Sequence, residues 1–380
     1  MRITRSIITV LTCIFILSGT VLFFFGEKKT WSENENRKLA SFPSHDLESI
    51  ESGRFTAGIE EYTKDHFPFR DEFMKVKTQT QLLCGYKEIS GVYVGKDRLF
   101  QKTVKPDSER FEKAVVRLCG NIERKDVTVS LLLLPTASYF YPDELPAYAP
   151  TVDQEKIIAD IDAACGNVKV PPVIQALQNA INEGNLYYRT DHHWTSFAAL
   201  TACRAYCDSI GLSSAPISEY ETKTLTETFR GTLYSRVLED GIYDTVTLYK
   251  LPENTFTAYY ADSATDIMDG NYTEYPYFSE KALEKKDKYT YFGGDNYPVV
   301  ILKNENAATD REIVLAKDSF ANVFAPFLTE NFSTVYVLDQ RYLKGKSVSD
   351  FVNENEKVTD VLILYGLNSL TDNSGAGMLS

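Results

Sequence analysis

Histidine is scarce in this chain: the 380 residues contain four, His45, His66, His192 and His193. Two of them are adjacent, in Thr190-Asp191-His192-His193-Trp194-Thr195. Imidazole is the side chain best suited to moving protons near neutral pH, and here it stands beside a carboxylate. A second stretch, Lys317-Asp318-Ser319-Phe320-Ala321-Asn322, supplies a hydroxyl. Serine acts as a nucleophile when a base sits next to it and a third group orients that base. In an extended segment, residues two apart project to the same side. Asp191 and His193 are therefore expected to face one pocket, with His192 pointing away. The expected site is Ser319 as nucleophile, His193 as base and Asp191 as orienting acid. Backbone N–H groups after Ser319, starting at Phe320, and the amides of Asn322 or Asn368 are candidates for holding an oxyanion. Tyr234 and Arg341 are candidate substrate contacts.

Plainer readings of the same residues stand beside these. Ser319 or Asp318 can simply cap the helix that follows. Tyr234 can be a packing residue, and Asp339 and Arg341 can pair only with each other. Asp191, His192 and His193 are all metal-ligating types, but adjacent histidines rarely share one ion, so no metal is expected, and no cofactor motif is present.

Such residues need elements to position them. Val127–Leu134, Pro298–Leu302, Glu312–Ala316, Thr334–Leu338 and Val358–Leu364 are aliphatic runs of strand length. Between several of them lie helical patterns, at 108–123, 154–164, 171–183, 196–210 and 320–328. Runs apolar on both faces suit buried parallel strands. The predicted fold is therefore α/β, a mostly parallel, doubly wound sheet with helices on both faces. Leu186–Arg189 reads as a short strand feeding the histidine pair. In parallel sheets, ligands bind outside the carboxyl ends of the strands. That rule would bring Asp191–His193, Asp318-Ser319, Asp339–Arg341 and Tyr365–Asn368 to one rim. Residues 213–297, rich in Thr, Tyr, Asp and Glu, read as a β-rich insertion. Its Arg230–Tyr234 and Tyr291–Asn296 loops are the ones expected near a site. Gly91–Phe100 reads as two short strands around a Gly-Lys-Asp turn.

Ahead of this domain, Ile7–Phe25 is an apolar run without a charge, long enough to span a bilayer. It lacks the small-residue site of a cleaved signal peptide, so an uncleaved anchor over residues 1–26 is expected. A polar tether at 27–55 and a main domain at 56–380 follow, with that domain outside the cytoplasm. Net charge of −13 and a pI near 5.0 argue against nucleic acid as a partner. The abundant Tyr and Phe, 24 and 22, are compatible with a sugar ligand. Six cysteines without a CxxC form neither a zinc ribbon nor an evident disulfide frame.

Thr190–Thr195 together with Lys317–Asn322 resembles the DHHW family of bacterial extracytoplasmic proteins. Phe67–Arg70, Gly95–Phe100 and Asp287–Tyr289 look like further family blocks. That family is similar to alginate O-acetyltransferases and, through them, to SGNH-type hydrolases. The resemblance implies a flavodoxin-like core with Asp191 and His193 preceding Ser319 in catalytic order. It also implies transfer of an acyl group, often acetyl, from a membrane-bound O-acyltransferase to a polysaccharide hydroxyl. The alternative is a non-catalytic scaffold or binding protein of a polysaccharide assembly complex.

Overall fold

The structure is a computed structural model and describes residues 2–32, 37–166, 168–251, 256–294, 296–370 and 379. Its contacts divide the chain into two compact units, 1–89 with 235–240, and 90–234 with 241–380. The second unit begins at Ser90.

In the first unit, α1 (Arg2–Phe25) contains one stretch, Ser6–Phe25, long and apolar enough to cross a membrane. Helices α2 (Arg54–Asp65) and α3 (Arg70–Leu83) are separated at Pro68, where the ring denies the helix an N–H. The stretch predicted as a tether is partly fastened down. The Asp65 carboxylate takes two bonds from Arg37, at 2.9 and 2.5 Å, and one from the Ala40 N–H. Residues 33–36 of that stretch lie outside the described residues.

The second unit opens with the predicted hairpin, β1 (Val92–Val94) and β2 (Leu99–Gln101), antiparallel around Gly95–Arg98. Next come α4 (Ser108–Asn121), β3 (Thr128–Leu134), α5 (Gln154–Ala164), α6 (Val173–Asn179) and α7 (Ser196–Ser209). A two-stranded ribbon, β4 (Glu221–Phe229) and β5 (Asp244–Lys250), brackets α8 (Thr232–Val237). Then follow β6 (Thr257–Ala261), β7 (Thr273–Glu274), β8 (Val299–Lys303), β9 (Thr309–Lys317), α9 (Ala321–Leu328), β10 (Phe332–Asp339), α10 (Val348–Glu354) and β11 (Val358–Gly366).

Seven strands form one sheet in the order β7-β6-β8-β10-β9-β11-β3. The four from β10 to β3 are mutually parallel, while β8, β6 and β7 join antiparallel. The sheet is therefore mixed, a correction to the mostly parallel prediction. The aliphatic run Val299–Leu302 reads alike in either direction, because the pattern reports burial and not polarity of the chain. Part of the β-rich stretch is also no separate insertion, since β6 and β7 extend the main sheet.

Both faces of the sheet are covered. Alternate residues of one strand part between two cores: Leu132 and Leu134 pack with α6, α7 and α9, Leu131 and Leu133 with α4, α5 and α10. The pairs Lys317–Asp339 and Lys317–Leu364 align the carboxyl ends of β9, β10 and β11 on one rim.

Candidate active site

The turn that carries Ser319 is built from the sheet. Burial of Ile313–Ala316 on both faces fixes β9, and the chain leaves it at Lys317 to start α9 at Ala321. The buried Asp318 carboxylate ties the turn down: one oxygen accepts from Phe320 N–H at 2.9 Å, the other from Gly366 N–H at 2.8 Å. Asp318, not Ser319, thus secures the start of the helix. Ser319 remains partly exposed with its hydroxyl available. Gly366 has no room for a side chain, as a Cβ there would come 2.7 Å from the Phe320 ring.

The histidine pair sits on a loop, not after a strand as predicted. Leu186–Arg189 makes no strand; a single bridge pairs Tyr187 with Trp194, and Tyr188 N–H donates to His193 O at 3.1 Å. The segment bends between these points, so the two-residue alternation of a strand does not hold. His192 consequently does not point away. Its ring lies 3.8 Å from that of His193, and its Nδ1 is 2.7 Å from Thr232 Oγ1.

The two segments meet. His193 Nε2 lies 2.7 Å from Ser319 Oγ, and His193 Nδ1 lies 2.6 Å from Asp191 Oδ1. Trp194 reinforces the junction by donating Nε1–H to Phe320 O at 2.8 Å and stacking on Phe324. Tyr289 bridges the same two segments. Its ring stacks flat on His193, 3.8 Å between centroids, and its hydroxyl donates to Ser319 O at 3.1 Å. Asp191 is fully buried. Burial alone would raise its carboxyl, but the His192 and His193 charges and the bonds from His193 and Thr232 N–H hold it well below the usual carboxylate range.

Around this core lies support the sequence reading missed. Asp244, also buried, accepts from Arg189 N–H at 2.6 Å, Thr190 N–H at 2.8 Å and Thr190 Oγ at 2.5 Å. Arg98 is buried and donates to the carbonyls of Tyr187 and Tyr188 at 2.8 and 3.1 Å. Gly231 lies so close over Asp191 that a Cβ there would overlap the carboxylate. Arg98 lies in the Gly95–Phe100 block and Gly231 in the Arg230–Tyr234 loop expected near the site, but their roles were not read, and Asp244 carried no signal.

The secondary candidates fare differently. Phe320 N–H is taken by Asp318, so it is not an open oxyanion donor; among the described residues, Ser319's own N–H has no partner. Asn322 Oδ1 accepts from the buried Lys317 Nζ at 2.8 Å, which fixes the orientation of its amide. Asn368 turns its amide to Lys102 O at 3.4 Å. Tyr234 is buried, its hydroxyl held by Arg230 at 2.9 Å. Arg341 is bidentate on Asp339, at 2.8 and 2.5 Å, and Asp339 also takes Lys317 at 3.1 Å. These geometries make Tyr234 a packing residue and commit Arg341 to its neighbour.

Ligating atoms of Asp191, His192 and His193 lie within 4.8 Å of one another. Both ring nitrogens of His193 and one of His192 face hydrogen-bond partners within the chain. In the loop predicted at Tyr291–Asn296, Gly293 packs beside Tyr277 and Asn322; its Asp295 lies outside the described residues.

The sequence model of the DHHW proteins matches residues 91–338, which include both segments. The chain belongs to the DHHW family. A DHHW family protein of known structure from Eubacterium siraeum is 25% identical, with a TM-score of 0.64 over 77% of this chain and 95% of that one. Bacillus cereus PatB1, 20% identical, has a TM-score of 0.62 over 75% of this chain and 98% of its own, a likeness of fold. Among curated sequences, this DHHW chain is similar to the probable alginate O-acetylase AlgJ of Pseudomonas aeruginosa. The two are 23% identical over 206 residues, 51% of this chain and 53% of that one. The chain spans about half the length of the curated relatives it matches.

Proposed function

We propose that this protein is a membrane-anchored, outward-facing O-acyltransferase or esterase with an SGNH-type fold. Its acyl group is acetyl in the first instance, and its substrate a cell-surface or secreted polysaccharide. The observation that carries the reading is the relay Asp191 Oδ1–His193 Nδ1, His193 Nε2–Ser319 Oγ, at 2.6 and 2.7 Å. Similarity to a probable alginate O-acetylase supports acetyl chemistry on a polysaccharide. The rim position of Ser319, at a strand-to-helix turn, supports the fold reading.

In this mechanism His193 Nε2 takes the Ser319 proton as Oγ attacks the acyl carbonyl. Ser319 N–H stabilises the oxyanion. As the tetrahedral intermediate collapses, His193 returns the proton to the leaving oxygen, and acyl-Ser319 remains. An acceptor hydroxyl, or water, then attacks the ester, giving its proton to His193, and Ser319 is released with that proton. Asp191 holds the imidazole in the required tautomer and stabilises the imidazolium. Ile7–Phe25 would hold the chain in the membrane, beside a membrane-bound O-acyltransferase as the donor partner.

The test is hydrolysis of p-nitrophenyl acetate by the full-length protein in detergent. Ser319→Ala should abolish it, and His193→Ala should lower kcat by about 10²–10⁴-fold. Wild-type turnover in Ser319→Ala, with its fold intact, would refute the mechanism.

A further inference from the structure

The antiparallel edge of the sheet is paved with aromatic rings on the face that carries α9. Tyr260 stacks on Tyr297 with centroids 4.5 Å apart. Tyr275 stands edge-on to Tyr260 and leads to Tyr277, 6.2 Å away. Tyr277 in turn meets Phe256 and Phe278, at 5.7 and 5.5 Å. Beside them runs an open groove of about 650 Å³, lined by residues 256–258 and 274–278. Tyr277 donates its hydroxyl to Asn322 O at 2.7 Å, so one side chain joins the groove to the nucleophile turn.

The chemistry of the groove selects a ligand class. Tyrosine offers an apolar ring face with a polar tip. A pyranose is its counterpart, with apolar C–H faces and hydroxyls around its edge. The charged side chain among the lining residues is the exposed Glu274. A carboxylate accepts hydrogen bonds and gives none, which suits sugar hydroxyls. It repels uronates and phosphates, as does a chain of net charge −13. The lining residues include no lysine or arginine to offset this. Strand β6 lies three strands from β9, at about 4.8 Å per step roughly 14 Å to one side of Ser319. A ligand that occupies both places must be a polymer.

We propose that this groove is the acceptor subsite for a neutral polysaccharide, which lies along Tyr275, Tyr277 and Phe278 and presents a hydroxyl several sugars further on to Ser319. The proposal rests on the acyl-transfer reading above and adds the acceptor's class, distinct from a polyuronate such as alginate.

The experiment uses the full-length Ser319→Ala protein in a sugar-free detergent. It is applied to an array of neutral hexasaccharides, oligouronates and proline-rich peptides. Neutral glycans should bind, with oligouronates weaker by about tenfold or more. Tyr275→Ala and Phe278→Ala should each cost about tenfold in neutral-glycan binding. Glu274→Lys, at an exposed position where the fold is not at stake, should narrow the gap between the two glycan classes. Preference for oligouronates, binding of the peptides alone, binding of nothing on the array, or neutral binding unchanged in both aromatic variants would each overturn the proposal. Failure of the acyl-transfer reading appears separately, as p-nitrophenyl acetate hydrolysis that persists without Ser319 while glycan binding is retained.

Discussion

The two sides of the candidate site are held by different means. Ser319 stands on the sheet: β9 is flanked by β10 and β11, buried on both faces, and Asp318 stitches the turn to Gly366. Asp191 and His193 stand on a loop with one isolated bridge. Their rigidity comes from polar groups instead: Asp244 beneath Arg189 and Thr190, Arg98 beneath the Tyr187 and Tyr188 carbonyls, and Thr232 on the Asp191 carboxylate. The sheet side rests chiefly on apolar packing, with Asp318 as its polar clamp. A buried acid–base pair needs partners for every charge and backbone group brought in with it.

If that contrast is right, removing polar support should harm the loop side more than the sheet side. The largest effect is expected for Asp244→Ala. It leaves two backbone N–H groups and a hydroxyl without their buried acceptor, each costing about 1–3 kcal/mol. Chemical denaturation should show a loss of several kcal/mol, and acetyl-ester hydrolysis should fall with it. Asp318→Ala strands two N–H groups and should cost less, since β9 and β11 remain paired. Equal losses in the two variants would erase the contrast.

Gly231→Ala probes the same loop by crowding. Its Cβ would overlap Asp191, so the carboxylate must shift from His193. Hydrolysis should fall by about 10²-fold, an effect of the size expected from small misplacements of catalytic groups. Activity within twofold of wild type would mean that Asp191 is not tightly held.

The smallest effect concerns a half-buried carboxylate, Asp162. Burial pushes Asp162 up to about 6, and among the described residues its Oδ1 has no hydrogen-bond partner. The folded state therefore holds this proton more tightly than the unfolded chain, whose carboxyl has the ordinary value of 3.8. Stability is lost as pH rises between these two values, and the penalty stays constant above them. Asp162→Asn should raise the Tm at pH 7.5 by a few degrees and leave it nearly unchanged near pH 3.5. Asp191 has the opposite sign: its contribution is fully present above the ordinary carboxylate pKa and is lost progressively as pH falls below it.

Legibility in the sequence followed the same divide. Ile313–Ala316 and Val361–Leu364 announce buried strands through their own aliphatic character, so the sheet side could be read directly. The direction of β8 could not, because a run apolar on both faces carries no sign of its polarity. Residue types singled out Asp191 and His193, but their geometry was misjudged at His192, since alternation applies to strands and this segment bends. Asp244 had no local signal at all. It lies in a Thr- and Tyr-rich stretch, and its role exists only because the fold returns it to Arg189 and Thr190.

The most direct test of the account is the fate of the acyl group. Full-length protein is quenched in acid during turnover of an acetyl ester, digested, and the peptides weighed. The account predicts one acetyl group on the Ser319 peptide, absent from His193→Ala quenched at the same early time. Turnover with no adduct on Ser319, or with the acetyl group on another residue, would contradict it.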